Sequence, residues 1–139
     1  MSNDISTLEG IPPRVRDVLQ AQAEFNADSV VVVVDRANVT PAPTSAAWSY
    51  TVPFHLAGEI SGLTIPFTGV IGAGIADTSS AGTATIDDAS PSVVMGKGQV
   101  VVSGDAAAWL NTETATLTLT YTNLRGGTDT DTFAVTFTS

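Results

Sequence analysis

The chain has 139 residues, enough for one domain with a hydrophobic core, and 43% of them are hydrophobic, which argues against a disordered chain. Fourteen acidic and five basic residues give a net charge of −9, so binding to nucleic acid or to an anionic membrane surface is not expected. The chain has no cysteine, which excludes disulfides, cysteine-based zinc sites and thiol nucleophiles.

Neither a signal sequence nor a membrane span is predicted. The start, MSNDISTLEG, is polar and lacks the basic and apolar regions of a secretory signal. No stretch approaches the roughly 18 consecutive apolar residues of a transmembrane helix.

Residues 1–27 differ from the rest and predict an N-terminal arm. Pro13, followed by good helix formers, predicts a short helix over about residues 13–24. Its apolar stripe is narrow, and an isolated helix of this length is marginal in water. We therefore expect the arm to dock on a neighbouring subunit or on a shell. The residues expected to make this contact are Ile11, Pro12, Pro13, Arg14, Arg16, Val18 and Leu19.

Residues 28–139 predict an antiparallel β-sandwich, because apolar residues alternate with polar ones and Gly, Pro, Asp and Ser separate the runs. Strands are predicted over residues 29–36, 47–59, 63–77 (one or two), 82–88, 98–104, 114–123 and 130–138. Residues 106–111 are either a short strand or a link. Pro53 lacks a backbone N–H, which predicts that its strand lies at a sheet edge or is bulged there.

The predicted core consists mainly of the residues on one face of the best-defined strands. They are Val32, Trp48, Tyr50, Val52, Phe54, Leu117, Leu119, Tyr121, Phe133, Val135 and Phe137. Trp109 lies among small residues and is predicted to be the one exposed aromatic side chain.

A row of threonines alternates with apolar residues in the segment TATLTLTYTN, residues 114–123. Threonine suits an extended backbone and is polar enough to face water. The row is therefore either the solvated face of a sheet or a contact surface for protein or ligand. An uncharged hydroxyl loses less solvation on burial than a charged side chain does, which suits the second interpretation.

No catalytic or metal-binding motif is recognisable. The single histidine, His55, is expected on the strand face opposite Trp48, as a surface or interface residue. The acidic residues Asp77, Asp87, Asp88, Asp105, Glu113, Asp129 and Asp131 match no calcium loop and are expected to be turn formers. The segment GVIGAGIAD, residues 69–77, has two of the glycines of a dinucleotide loop, but no helix follows it. We expect no enzymatic activity, cofactor or metal.

The C-terminal segment TATLTLTYTNLRGGTDTDTFAVTF, residues 114–137, resembles the last hairpin of bacterial and phage immunoglobulin-like domains. Tyr121 is placed where that fold often has a tyrosine on its F strand. Together with the arm, this resemblance implies a bacteriophage capsid decoration protein whose arm grips the shell. Its partners would be the major capsid protein or other virion subunits. The protein would be homo-oligomeric or present in many copies on the virion surface, after assembly in the host cytoplasm.

Three other functions remain open from the sequence. A subunit of a phage tail tube or tail appendage would have the same composition. A carbohydrate-binding or adhesin module would need a cluster of exposed aromatics, for which only Trp109 qualifies. An ice-binding array would need threonine rows across many strands, whereas dense rows occur mainly in the last hairpin.

Overall fold

Period-two alternation of side chains produces an all-β structure with no helix among the residues described. The computed structural model describes residues 29–139, and the helix predicted over residues 13–24 lies outside this range. The nine strands are β1 (Val30–Val34), β2 (Trp48–Gly58), β3 (Gly69–Val70), β4 (Gly72–Asp77), β5 (Ala84–Ile86), β6 (Ser92–Val93), β7 (Lys97–Gly104), β8 (Thr114–Thr122) and β9 (Thr128–Thr136).

The strands form two main sheets and a short two-stranded pair. One sheet has the order β1-β2-β7-β5, the second has the order β4-β8-β9, and β3 pairs with β6. All these strand pairings are antiparallel. After β1, Val39 forms an isolated parallel bridge with Val135 of β9. The chain therefore pairs first with one sheet, through β1, and then with the other sheet, through Val39.

The core lies between the two sheets and confirms the alternation predicted for β2, β8 and β9. Each predicted core residue is buried except Trp48 and Tyr50, which are half-buried and pack against the core. Ala115, Leu117, Leu119 and Tyr121 point inward from β8, and the threonines between them point outward. The described residues thus form a sandwich-like, antiparallel all-β arrangement.

The prediction that Trp109 is exposed is wrong, because Trp109 is fully buried. Its backbone exchanges two hydrogen bonds with Thr44, at N···O distances of 2.8 and 3.1 Å. Its indole N–H donates to the carbonyl oxygen of Asp105 at 3.2 Å. Its ring stacks on Phe137 with centroids 5.3 Å apart and meets Trp48 edge-on at 5.2 Å. The link between β7 and β8 therefore closes one end of the core.

The prediction that Pro53 marks an edge is correct only locally. β2 as a whole lies between β1 and β7, but β1 pairs only with residues 54–58, so from Trp48 to Pro53 β2 is bordered by β7 alone. Asp35 donates its N–H to the Pro53 carbonyl at 2.8 Å, but proline has no N–H to return the bond, and the ladder ends there. Beyond that point the guanidinium of Arg36 donates to the Thr51 carbonyl at 3.0 Å.

Close packing of Gly82 against Trp109 generates a stability prediction. A Cβ on Gly82 would lie 2.5 Å from Cε2 of the buried indole, so Gly82→Ala forces a shift in the core. We expect a loss of about 1–3 kcal/mol in the free energy of unfolding. Gly74→Ala on β4 is the matched control, since its Cβ meets nothing within 4 Å. Urea melts of both variants test this, and an unchanged midpoint for Gly82→Ala would contradict it.

Candidate functional site

The outer face of the β4-β8-β9 sheet consists only of threonine, alanine and glycine, and we term it the threonine face. The neighbouring strands bring together outward positions that are far apart in the sequence. The members are Gly72, Gly74 and Ala76 on β4, Thr114, Thr116, Thr118, Thr120 and Thr122 on β8, and Thr128, Thr130, Thr132, Ala134 and Thr136 on β9.

Strand register places the threonines of β8 and β9 side by side. Thr118 lies opposite Thr132, and Thr120 lies opposite Thr130. On the other side of β8, Gly74 lies opposite Thr118, so the outward side chains of the face become smaller toward β4. Cross-strand threonine pairs stabilise a sheet without introducing charge.

The size and chemistry of the threonine face suit a contact with another protein. With a rise of about 3.4 Å per residue and strands about 4.8 Å apart, the face extends roughly 27 Å along β8 and about 10 Å across. Among the residues described, no hydrogen bond from another side chain occupies the hydroxyls of Thr116, Thr118 and Thr120. These hydroxyls can bond a partner or water, and burying them costs far less than burying a charged group.

The opposite sheet presents a different outer surface, which carries charges. His55 of β2 lies on that face, as the alternation predicted, and its Nδ1 is 2.7 Å from the Asp35 carboxylate. Lys97 of β7 lies opposite His55 in the strand register. The two outer faces of the sandwich thus differ in charge, and only the threonine face is free of ionisable groups.

Carboxylates close both seams between the two sheets. At one seam, Asp129 and Asp131 of β9 accept hydrogen bonds from the backbone N–H groups of Val32 at 3.0 Å and Val34 at 2.8 Å. These are amides of the edge strand β1 that β2 does not use. At the other seam, Asp77 of β4 accepts from the N–H of Ala84 on β5 at 2.9 Å. The acidic side chains therefore replace strand pairing at the sheet edges.

The remaining acidic candidates also accept hydrogen bonds from the backbone. Asp87 accepts from Val101 at 2.9 Å, Asp88 from Ser90 at 2.8 Å, and Asp105 from Thr83 at 2.9 Å. Within residues 29–139, no three histidine, aspartate or glutamate side chains are grouped so that they could hold a metal ion. The prediction that these residues form turns holds for Asp88, which accepts from the N–H group two residues further on, but not for Asp77, Asp129 and Asp131, which lie within strands and bridge the sheet edges.

Glu113 ties the link before β8 to the loop after β4. One carboxylate oxygen accepts from the Leu110 N–H at 2.8 Å, and the other accepts from the Ser80 N–H at 3.1 Å. The bond from Leu110 is the largest cause that lowers the pKa of Glu113 below its ordinary value, followed by the bond from Ser80. Both bonds favour the ionised carboxylate.

The residues predicted to bind a partner are in the arm and lie outside the described residues. Their role therefore stays a prediction. What the sequence interpretation missed is the contribution of β4 to the threonine face. The signal is present in the segment GAGIAD, where Gly72, Gly74 and Ala76 alternate with Ala73, Ile75 and Asp77. This alternation can be assigned to the threonine face only once β4 is known to pair with β8.

No protein-family model and no curated protein matches the chain. The described part of the chain contains no helix long and apolar enough to cross a membrane.

The seam between β1 and β9 can be tested at Asp131. Asp131→Ala leaves the part-buried N–H of Val34 without its acceptor, and we expect a loss of about 1–3 kcal/mol in unfolding free energy. Asp131→Asn is the control, because it keeps a carbonyl oxygen and should lose less. Urea melts measure both values. If the two variants melt alike, the hydrogen bond to Val34 is not what Asp131 contributes.

Glu113 predicts a component of stability that depends on pH. Its pKa is lowered in the folded chain, so its contribution is fully present above its ordinary value of 4.5 and is lost as the pH falls through the lowered pKa. Glu113→Gln should remove this component and flatten the fall in the urea midpoint between about pH 5 and about pH 3. An identical pH profile in the variant and the wild type would count against this role.

Proposed function

We propose that the protein is a structural subunit of a bacteriophage virion, which decorates the capsid in many copies through protein–protein contacts. The observation that carries this proposal is the threonine face. A chain with a net charge of −9 presents one whole sheet face without a single ionisable group. Such a face can be buried against another subunit without desolvating charge.

The distribution of acidic residues supports a contact role for this face. Many copies of an acidic protein repel one another, so the contact surface has to be free of like charges. Asp77, Asp129 and Asp131 lie in the strands of the same sheet, yet their carboxylates bond to amides across the seams. The acidic groups nearest to the threonine face are thereby directed away from it.

We further propose that the fold is immunoglobulin-like. The order β1-β2-β7-β5 opposite β4-β8-β9 corresponds to the A-B-E-D and C-F-G sheets of the constant-type immunoglobulin fold. The order along the chain also corresponds once the short strands β3 and β6 are set aside. Tyr121 adds no support, since it is near the end of β8, whereas the tyrosine corner lies near the start of the F strand.

A tail tube or tail appendage subunit is the second candidate, because an uncharged sheet face serves a tail contact equally well. The interpretation as a carbohydrate-binding or adhesin module depended on Trp109 being exposed. Trp109 is fully buried among Trp48 and Phe137, so it cannot stack on a sugar.

The location in the virion is tested by immunogold electron microscopy of phage particles, with an antibody raised against the purified chain. Gold on the capsid supports decoration, and gold on the tail selects the second candidate. The absence of gold from all particles would overturn both. Cryo-electron microscopy of labelled particles then gives the symmetry and the copy number.

The contact surface is tested by placing one charge at its centre. Thr118→Glu should reduce co-sedimentation with particles stripped of the protein by at least about tenfold, because the carboxylate would be buried without a partner. Thr85→Glu on β5 is the control, since Thr85 is exposed and lies on the other sheet. Circular dichroism checks that both variants fold. Equal binding of both variants would exclude the threonine face as the contact.

A further inference from the structure

Exposed apolar side chains are concentrated at one end of the sandwich, which we term the apolar end. Six of the seven large apolar side chains that are exposed among the described residues lie there, with exposed fractions between 55% and 75%. They are Ile60, Leu63, Val70, Val94, Met95 and Leu124. The seventh, Leu110, lies at the opposite end, beside Trp109.

Strand register shows that these side chains share one end. Gly58, the last residue of β2, lies opposite Val30, the first residue of β1. The turn after β2, residues 59–64, is therefore beside the start of β1. The loop between β8 and β9 also reaches this end, since a cavity is lined by both Val30 and Gly127. The turn between β6 and β7 joins them through a hydrogen bond from the Leu56 N–H to the Gly96 carbonyl, at 2.8 Å.

The turn that presents Met95 is rigid, so its exposure is built into the fold. Met95 and Gly96 both have positive φ, 50° and 82°, as a two-residue type I′ hairpin turn requires. Val94 and Lys97 exchange hydrogen bonds of 2.9 and 3.1 Å across the turn. The Met95 N–H also donates to the Thr68 hydroxyl at 3.1 Å, which fixes the turn against the β2–β3 connection.

The N-terminal segment joins the described chain at the same end. The carbonyl of Ser29 accepts a hydrogen bond from the N–H of Glu59 at 2.7 Å, so Ser29 lies beside the turn that carries Ile60 and Leu63. Twenty-eight residues precede Ser29, and an extended chain spans up to about 3.3 Å per residue. The segment is therefore long enough to reach any part of the apolar end.

We propose that the apolar end is covered by the chain's own N-terminal segment, through Val15, Val18, Leu19 and Phe25. These apolar residues recur at spacings of three, four and seven. The segment carries five acidic residues and two basic ones, Arg14 and Arg16, and the basic pair can reach Glu59, which lines the cavity at this end. This intramolecular contact is independent of the proposed virion role.

Tethering favours the chain's own end over a neighbouring subunit. A segment attached a few residues away meets its site at an effective concentration in the millimolar range. A neighbouring copy reaches that concentration only in a dense assembly. The sequence alone led us to expect that the N-terminal segment docks on a neighbouring subunit or on a shell. In the free protein, docking on the chain's own apolar end competes with that contact.

Trypsin tests this contact, because Arg14 and Arg16 are two of only five lysine and arginine residues in the chain. Cleavage after Arg16 in the full-length wild-type chain should be at least about tenfold slower than in a synthetic peptide of residues 10–22, since a docked segment is cut only after it opens. Mass spectrometry gives both rates. Cleavage of the wild-type chain at the peptide rate would overturn the proposal.

Two charged substitutions then locate the contact. Leu63→Asp combined with Met95→Asp should restore rapid cleavage after Arg16, whereas Leu110→Asp at the opposite end should not. Leu63, Met95 and Leu110 are 70%, 56% and 52% exposed, so the three positions are matched for exposure. Circular dichroism checks that the variants remain folded. Continued protection of Arg16 in a folded double variant would contradict docking at the apolar end.

Dilution separates the chain's own end from a second copy. If the contact is intramolecular, the protection of Arg16 from trypsin should be unchanged when the protein is diluted a hundredfold, because the tether keeps the effective concentration constant. Protection that disappears on dilution would mean that the segment docks on a neighbouring copy, and the intramolecular contact would be rejected.

Discussion

The architecture depends on hydrogen bonds between carboxylates and backbone amides at the sheet edges. A sandwich of two open sheets leaves unpaired N–H groups along its edge strands, and these are costly when buried and adhesive when exposed. Here Asp129 and Asp131 accept from β1, and Asp77 accepts from β5. Each edge of one sheet is thereby attached to the other sheet, and the core between them is closed without additional strands.

These seams also account for an unusual use of charge. The chain is acidic, with few basic residues to neutralise it, and most acidic side chains in the described part accept hydrogen bonds from the backbone. A carboxylate held by backbone amides keeps its charge close to the loop or seam that it joins. The β4-β8-β9 sheet can therefore present an outer face of threonine, alanine and glycine alone. The charged side chains of the described part lie in its seams, its loops and its opposite face.

How much of the structure the sequence reveals depends on whether the determining contact is local. The inward and outward positions of β2, β8 and β9 follow from alternation alone, and with them most of the core. Trp109 has no alternating neighbours, and its burial depends on Thr44, 65 positions earlier, so no local pattern reveals it. The effect of Pro53 is also not local, because it depends on the missing N–H facing β1 at the point where β1 ends. The threonine row of β8 was visible as a candidate surface, but its extension across β4 required the strand pairing.

The strict separation of inner and outer positions in β8 and β9 has an evolutionary consequence. Inner residues such as Leu117 and Phe133 determine the fold, whereas their outer neighbours are half-buried or exposed and contact mainly one another across the strands. Substitutions on the outside can therefore accumulate with little effect on folding, and natural variation can change what the surface recognises. A scaffold of this kind can adapt to a new binding partner through a small number of side chains while its interior stays constant.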